Sequence, residues 1–336
     1  MLRYIWGIYF FLLVYALDKK MEYRKIIEFG KSSYVVSLPK AWMNDKKLKK
    51  GDVIYVDQDG DRLVLYPVEN KETKEPKKAT LDVTGMTKQE VRLQLVSKYI
   101  QNFNEITLVS ENMKSSAKEV RAIIHDLMAL EVIEETASKI VTKDFLNMED
   151  ISPSNLMNNM DLITREMLAD SKDAFEEDKS FNIEERDSDV NRLLFLLHRS
   201  VRYFQKNPAV ARKKGLTPEE LMLVWFASTK VEHIADQVKR IARLIRRSKF
   251  KKSEQEELAE LYSSVEKYYI ESLSAFYKKD MEKAFRLCMQ GKRLIKQCKD
   301  FYRQNWNYEA VPLIVEKLNA IIADTRSLLT YMCDIT

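Results

Sequence analysis

The chain has 336 residues, of which 32% are charged and 45% hydrophobic, and its formal net charge is +5. These values are typical of a soluble globular protein with two or three domains. Only 7 glycines and 7 prolines are present, which argues against a loop-rich or all-β chain and favours long helices. Because the net charge is modest, any surface that binds nucleic acid must be local.

The first residues are unusually apolar. Ile5–Leu17 is an uncharged run of 13 residues, shorter than the roughly 20 residues that a bilayer span needs. No small-x-small cleavage site follows it, and Met21 opens a segment typical of a domain start. We expect residues 1–20 to be a leader before a mis-assigned start. The alternative is an N-terminal membrane anchor with the following lysines and arginines on the cytoplasmic side. Both interpretations predict a cytoplasmic body, and the preferred one predicts no stable membrane insertion.

The three cysteines, Cys288, Cys298 and Cys333, lie far apart and form no C-x-x-C motif. This pattern is typical of reduced thiols in a cytosolic protein.

Residues 21–68 show the alternation of short strands. Strands are predicted in "RKIIEF", before Pro39, at Val53–Val56 and at Leu63–Tyr66, with a helical turn in "PKAWMNDKK" and a hairpin turn at Asp59-Gly60. So small a module buries too little surface to be stable alone. We therefore expect it to pair with a second copy.

A charged linker is predicted at 69–78 and a small α/β module at 79–150, with its helices on one face of the sheet. Within that module we expect strands in "ATLDVT" and "EITLVS", helices at Thr87–Asn102 and Ser115–Met128, and a hairpin in "EVIEETASKIVTKDF".

Residues 151–336 are predicted to be helical. Six amphipathic runs are separated by short loops, so neighbouring helices should be antiparallel. The runs are Thr164–Glu177, Ile183–Gln205, Pro218–Arg247, Glu254–Lys278, Met281–Tyr302 and Ala310–Met332. Two short echoes, "DSKDAF" with "ESLSAF" and "EHIAD" with "AIIAD", indicate two three-helix repeats.

The segments "RKIIEFGKSSYVVSLPKAW" and "LKKGDVIYVDQDGDRLVLYP" resemble the AbrB/SpoVT family of swapped-hairpin DNA-binding domains, a fold that MazE antitoxins also use. The resemblance implies a homodimer in which two chains interlock into one barrel. It also implies that basic and hydroxyl residues near the first strand contact DNA, where cations release counterions and hydroxyls fix the register. These residues are Arg24, Lys25, Lys31, Ser32, Ser33 and Lys40. The module also carries many acidic residues, so a purely dimerising role is the alternative.

The segments "IEERDSDVNRLLFLLHRSV" and "VEHIADQVKRIARLI" resemble the PhoU family of phosphate-uptake regulators. That family has two three-helix repeats with acidic motifs that hold iron, zinc or similar metals. The resemblance implies a divalent or iron-type metal in the first repeat, because i, i+4 carboxylates share a helix face and suit such cations. The implied ligands are Asp187, Asn191, Glu232 and Asp236, with Glu185 and Asp189 as a second register.

At most one metal site is expected. In the second repeat Asp324 has lost its acidic partner to Ala320, and Lys292 and Arg293 are predicted to fill the acidic hollow instead. In the first repeat the alternative is that Glu232 and Asp236 pair with neighbouring cations such as Lys239, Arg240 or Arg192.

The segments "KYIQNFNEITLV" and "LMALEVIEET" resemble the insert often found in AbrB–PhoU fusion proteins. The resemblance implies no function for this module, and sensing a ligand and spacing the two ends are both open. The chain as a whole resembles such a fusion. The resemblance implies a DNA-binding regulator of phosphate uptake that docks to a phosphate ABC transporter ATPase or a signalling protein. The alternative is a cytoplasmic adaptor that regulates by protein contact without DNA binding. No catalytic motif is present, so no enzymatic activity is expected.

Overall fold

The computed structural model describes residues 22–59, 61–67, 76–172, 180–248 and 250–335. The predictions for residues 1–20 and for most of the linker therefore lie outside the described residues. The chain divides into two compact units, Met1–Lys74 and Glu75–Thr336, called here the N-terminal and C-terminal units. Within the described ranges, no helix has the length and apolar character to cross a membrane.

The N-terminal unit contains two separate antiparallel hairpins, β1–β2 and β3–β4. Gly30, at the first turn, has φ +71°, a left-handed conformation that glycine adopts without strain. The four predicted strands and the helical turn are confirmed, although the second strand ends at Val35, before the predicted end next to Pro39. The elements are β1 Ile27–Phe29, β2 Ser33–Val35, α1 Lys40–Asp45, β3 Ile54–Asp59 and β4 Arg62–Pro67.

None of the residues described in the N-terminal unit is buried. Its strands nevertheless carry many large apolar side chains, and on the β3–β4 hairpin Val56 and Leu63 are 60% and 70% exposed. Other exposed apolar side chains of this unit are Ile26, Ile27, Phe29, Tyr34, Val35, Val36, Val53 and Tyr55. The described residues of a single copy therefore form no hydrophobic core.

The C-terminal unit begins with an α/β module whose four-stranded sheet has the order β5-β6-β8-β7. Strands β5 and β6 are parallel and are joined through a helix, as a parallel pair requires, while the other pairs are antiparallel. Ile106 and Leu108 of β6 are fully buried in a core shared with both helices. The elements are β5 Lys78–Asp82, α2 Lys88–Ile100, β6 Glu105–Val109, α3 Met113–His125, β7 Leu130–Glu135 and β8 Lys139–Asp144.

Helices build the remainder of the C-terminal unit after a 3-10 turn at Met148–Asp150. They are α4 Pro153–Lys172, α5 Ser180–Lys206, α6 Pro208–Lys213, α7 Pro218–Arg247, α8 Lys252–Lys278, α9 Met281–Gln304 and α10 Ala310–Ile335. Helices α4, α5 and α7 pack against one another, as do α8, α9 and α10, and the two groups meet along α7 and α10. The predicted pair of three-helix repeats is confirmed.

The predicted start of the first long helix at Thr164 was wrong, because α4 begins at Pro153. Proline suits the first helical position, where its missing N–H costs nothing. The neighbouring asparagines hide the helical stripe in the sequence, although Met157 and Met160 are buried. The short helix α6 was not predicted.

The α/β module is fastened to the helices by a buried ion pair. Arg199 of α5 donates from Nη1 to Oδ1 of Asp144 at 3.0 Å and from Nη2 to Oδ2, and the two side chains are only 1% and 2% exposed. The Arg199 guanidinium also lies 4.4 Å from the centre of the Tyr99 ring. Because each buried charge has its partner, this junction holds the module against α5.

Candidate functional site

The six residues predicted to contact DNA are all exposed. Lys31 and Ser32 lie in the β1–β2 turn, and Ser33 is the first residue of β2. Lys40 is the first residue of α1. The structure therefore brings Lys31, Ser32 and Ser33 together at one tip of the first hairpin.

Arg24 and Lys25 precede β1. Since Ile27 pairs with Val35 and Phe29 with Ser33, these two cations lie at the end of the hairpin opposite the turn. Arg24 also forms an ion pair with Glu22. One chain thus presents two separate basic regions rather than one continuous patch.

Two of the predicted metal ligands of the first repeat, Asp187 and Asp236, contact the ammonium group of Lys239. Lys239 Nζ lies 2.6 Å from Asp187 Oδ2 of the neighbouring helix α5 and 3.0 Å from Asp236 Oδ1 of its own helix. Arg240 Nη2 makes a second contact with Asp236, at 2.7 Å. The packing of α5 on α7 places Lys239 where it can neutralise both carboxylates.

The pKa directions agree with that arrangement. Burial alone would raise the pKa of Asp236 and lower that of Lys239. The contacts of Asp236 with Lys239 and Arg240, and those of Lys239 with Asp187 and Asp236, reverse both effects. Among the described residues Glu232 forms no ion pair with a cation, and its pKa is raised by burial and by the nearby charges of Asp236 and Asp187. The charges of this cluster are therefore balanced mainly within the chain.

The other candidate ligands point to different partners. Asn191 Nδ2 donates to the Asp187 carbonyl oxygen at 2.8 Å, Asp189 pairs with Arg192 at 3.4 Å, and Glu185 is exposed. In the ranges that the structure describes, no three acidic, histidine or cysteine side chains form a group able to hold a metal. As arranged, these residues fit an internal lysine better than a metal, and metal binding stays a prediction.

In the second repeat the predicted cations were wrong. Asp324 of α10 contacts two residues of α7: Lys230 Nζ at 2.5 Å, and Nδ1 of His233, which donates to the other carboxylate oxygen. The predicted partners Lys292 and Arg293 are exposed on α9 instead. Sequence reasoning missed Lys230 and His233 because their only link to Asp324 is the packing of α7 against α10.

Comparison with known proteins agrees with both resemblances. Residues 29–73 match the family described as antidote-toxin recognition MazE, bacterial antitoxin, and residues 157–245 match the PhoU domain family. No curated protein matches the chain in sequence. The crystal structure of PhoU from Pseudomonas aeruginosa is similar over 55% of this chain and 94% of that one, with 14% identity and a TM-score of 0.46.

The chain thus carries a MazE/AbrB-type domain followed by a PhoU domain, as the sequence predicted. The PhoU match spans α4 to α7, which is the first three-helix repeat. Both families are regulatory rather than enzymatic.

Proposed function

We propose that this protein is a dimeric regulator of phosphate uptake that binds DNA through its N-terminal unit. The observation that carries the proposal is the N-terminal unit itself, in which no described residue is buried while apolar strands and basic turns are both exposed. Such a unit needs a second copy to build a core, and its cations need an anionic partner.

The dimer follows from the apolar surface. Gln58 faces Leu63 across the β3–β4 hairpin and Val56 faces Leu65, so Val56, Leu63 and Leu65 lie on one face of it. Covering apolar surface is worth about 25 cal/mol per Å². A second copy of the same hairpins offers a matching face, as the swapped-hairpin resemblance implies.

DNA binding is supported by the positions of the basic residues. The turn carries Lys31, and Arg24 and Lys25 lie at the other end of the same hairpin. A symmetric dimer doubles each basic region and so spreads phosphate contacts along a duplex. In this proposal the hydroxyls of Ser32 and Ser33 would contact phosphates beside Lys31.

The C-terminal unit supplies the regulation in this proposal. Its PhoU-type helices would dock to a phosphate ABC transporter ATPase or to a signalling protein in the cytoplasm. Docking would bias DNA binding only if the partner distinguishes two arrangements of the chain.

Salt-dependent DNA binding of the full chain tests the proposal, with DNA from upstream of its own gene as the probe. Replacing Arg24, Lys25 and Lys31 by alanine should weaken binding and reduce the salt slope by about one for each lost phosphate contact. The matched control replaces Lys88, Lys114 and Lys118, which are exposed on the α/β module, and should leave the slope unchanged. If the unaltered protein shows no salt-sensitive DNA binding at low ionic strength, the protein is an adaptor that acts by protein contact.

A further inference from the structure

Four cations converge where the α/β module packs on α5. Lys77 precedes β5, Lys98 lies in the last turn of α2, and Arg202 and Lys206 lie near the end of α5. The ammonium groups of Lys77 and Lys98 lie 3.9 and 5.2 Å from the centre of the same ring, that of Phe103. These four residues are called here the junction cluster.

The turn that carries Phe103 contacts α5 at Arg199, shortly before the two α5 cations in the chain. Asn102 Nδ2 donates to the Arg199 carbonyl oxygen at 3.1 Å, and Arg199 Nε donates to Asn102 Oδ1 at 3.2 Å. Arg202 and Lys206 follow Arg199 by about one and two helical turns and so share its face. That face of α5 is therefore the one that meets the turn.

Carboxylates of the described residues do not balance the positive charge of the junction cluster, although Lys77 Nζ also donates to the Gln101 carbonyl oxygen at 3.1 Å. In the part of the chain that the structure describes, no carboxylate forms an ion pair with any of the four, and the nearby Glu105 pairs with Lys78 at 3.0 Å. Burial lowers the pKa of Lys77, and repulsion from Lys206, Lys98 and Arg202 lowers it further. Like charges held together in this way raise the free energy of the folded chain.

We propose that the junction cluster binds a small anion with several linked phosphate groups. One guanidinium group and three ammonium groups are the hydrogen-bond donors that proteins commonly present to phosphate oxygens. The four side chains come from three segments of the chain, and the ammonium groups of Lys77 and Lys98 lie over one aromatic ring, whereas a nucleic-acid backbone would need cations along a line. A phosphate chain spans such a group better than one phosphate ion does.

Binding of an anion at the junction cluster would link the start of the C-terminal unit to the PhoU-type helices. Lys77 lies just after the boundary between the two compact units, at Glu75. Its backbone is held by Asn104, whose side chain accepts from the Lys77 N–H at 3.0 Å. A bound anion would tie this entry point of the C-terminal unit to α5 of the PhoU domain. The α/β module would then be a ligand-sensing element, which goes beyond DNA binding and does not depend on it.

Calorimetric titration of the full chain with tripolyphosphate, pyrophosphate, ATP and inorganic phosphate tests this site. We expect one saturable site per chain, tighter for tripolyphosphate than for pyrophosphate and weakest for inorganic phosphate. Replacing Lys98 and Lys206 by glutamine should weaken tripolyphosphate binding by roughly tenfold or more, because two charged donors are lost. The control Lys114→Gln with Lys118→Gln, also two exposed lysines of this unit, should bind as the unaltered protein does.

Equal binding of tripolyphosphate and ATP would assign the site to free and esterified phosphate chains alike, and a preference for ATP would assign it to nucleotides. Either result supports the site provided that the cluster variant loses it. The absence of saturable binding of all four probes, or an equal loss in the control variant, would overturn the proposal. The calorimetric titration contains no DNA, so its result does not depend on DNA binding. A protein that binds tripolyphosphate but not DNA would contradict the proposed function and leave the anion site standing.

Discussion

The two units differ in how far their own residues cover apolar side chains and pair charges. In the N-terminal unit Val56 and Leu63 are 60% and 70% exposed, and no described residue is buried. The C-terminal unit buries one hydrophobic core in its α/β module and another among its helices, and it pairs even buried charges such as Arg199 and Asp144. The N-terminal unit thus leaves its apolar strands uncovered, whereas the C-terminal unit covers its own apolar side chains and leaves charge unpaired at the junction cluster.

The largest effect is expected from charging the apolar face of the N-terminal unit. Val56→Asp with Leu63→Asp should raise the dimer dissociation constant by roughly 100-fold or more, because two apolar side chains that the proposed dimer would bury are replaced by charges. Sedimentation of the full chain measures it. Leu93→Asp with Leu162→Asp, at exposed positions of the C-terminal unit, should leave the dimer intact. If only the Leu93→Asp, Leu162→Asp variant dissociated, the dimer interface would lie in the C-terminal unit and the prediction would be wrong.

Breaking the Arg199–Asp144 pair should show how far the C-terminal unit depends on internal partners. Arg199→Met leaves a buried carboxylate unpaired and should cost about 3–5 kcal/mol in the free energy of unfolding. Urea denaturation measures the loss, and adding Asp144→Leu should restore much of it.

The exposed pair of Arg121 with Glu135, 2.8 Å apart, is the control for that measurement. Arg121→Met should cost no more than about 1 kcal/mol, since surface pairs contribute little. An equal loss of unfolding free energy in Arg199→Met and Arg121→Met would contradict the expected difference between buried and exposed ion pairs.

Metal binding should be limited by Lys239. Zn²⁺ titration of the unaltered protein should give at most one site per chain, and Glu232→Ala with Asp236→Ala should abolish it. Lys239→Gln removes the cation that competes for Asp187 and Asp236 and should tighten binding on the order of tenfold. The same affinity in Lys239→Gln and in the control Lys118→Gln would show that the lysine does not occupy the site.

The smallest effect is expected at the contact between α7 and α10. The hydrogen bond to Asp324 raises the pKa of His233. Its stabilisation should therefore be complete below pH about 6.5, the usual His pKa, and should be lost as pH rises through the folded-state pKa. The His233 side chain is 49% exposed, so the change should stay below about 1 kcal/mol. Unfolding measured against pH should lose this component in His233→Gln and keep it in His125→Gln.

Local sequence features predicted most of the elements correctly. Helix α7 begins and ends at the predicted residues, Pro218 and Arg247. Its start is encoded in four residues, since Thr217 and Glu220 form a capping box around Pro218. The β3–β4 hairpin was likewise predicted from a local signal, the Asp59-Gly60 dipeptide. Where polar residues interrupt the helical stripe, as between Pro153 and Thr164, local reading placed the helix start too late.

Sequence by itself determined the order of the elements, the MazE-type and PhoU domains and the acidic motif of α7, because these depend on periodicity and spacing along one segment. Only the tertiary structure decided what each charge meets. Asp236 and Lys239 are three residues apart, but Asp187 joins them only because α5 packs on α7. The junction cluster likewise exists only because the turn at Phe103 meets α5. Contacts between distant segments follow from packing, and no local spacing encodes them.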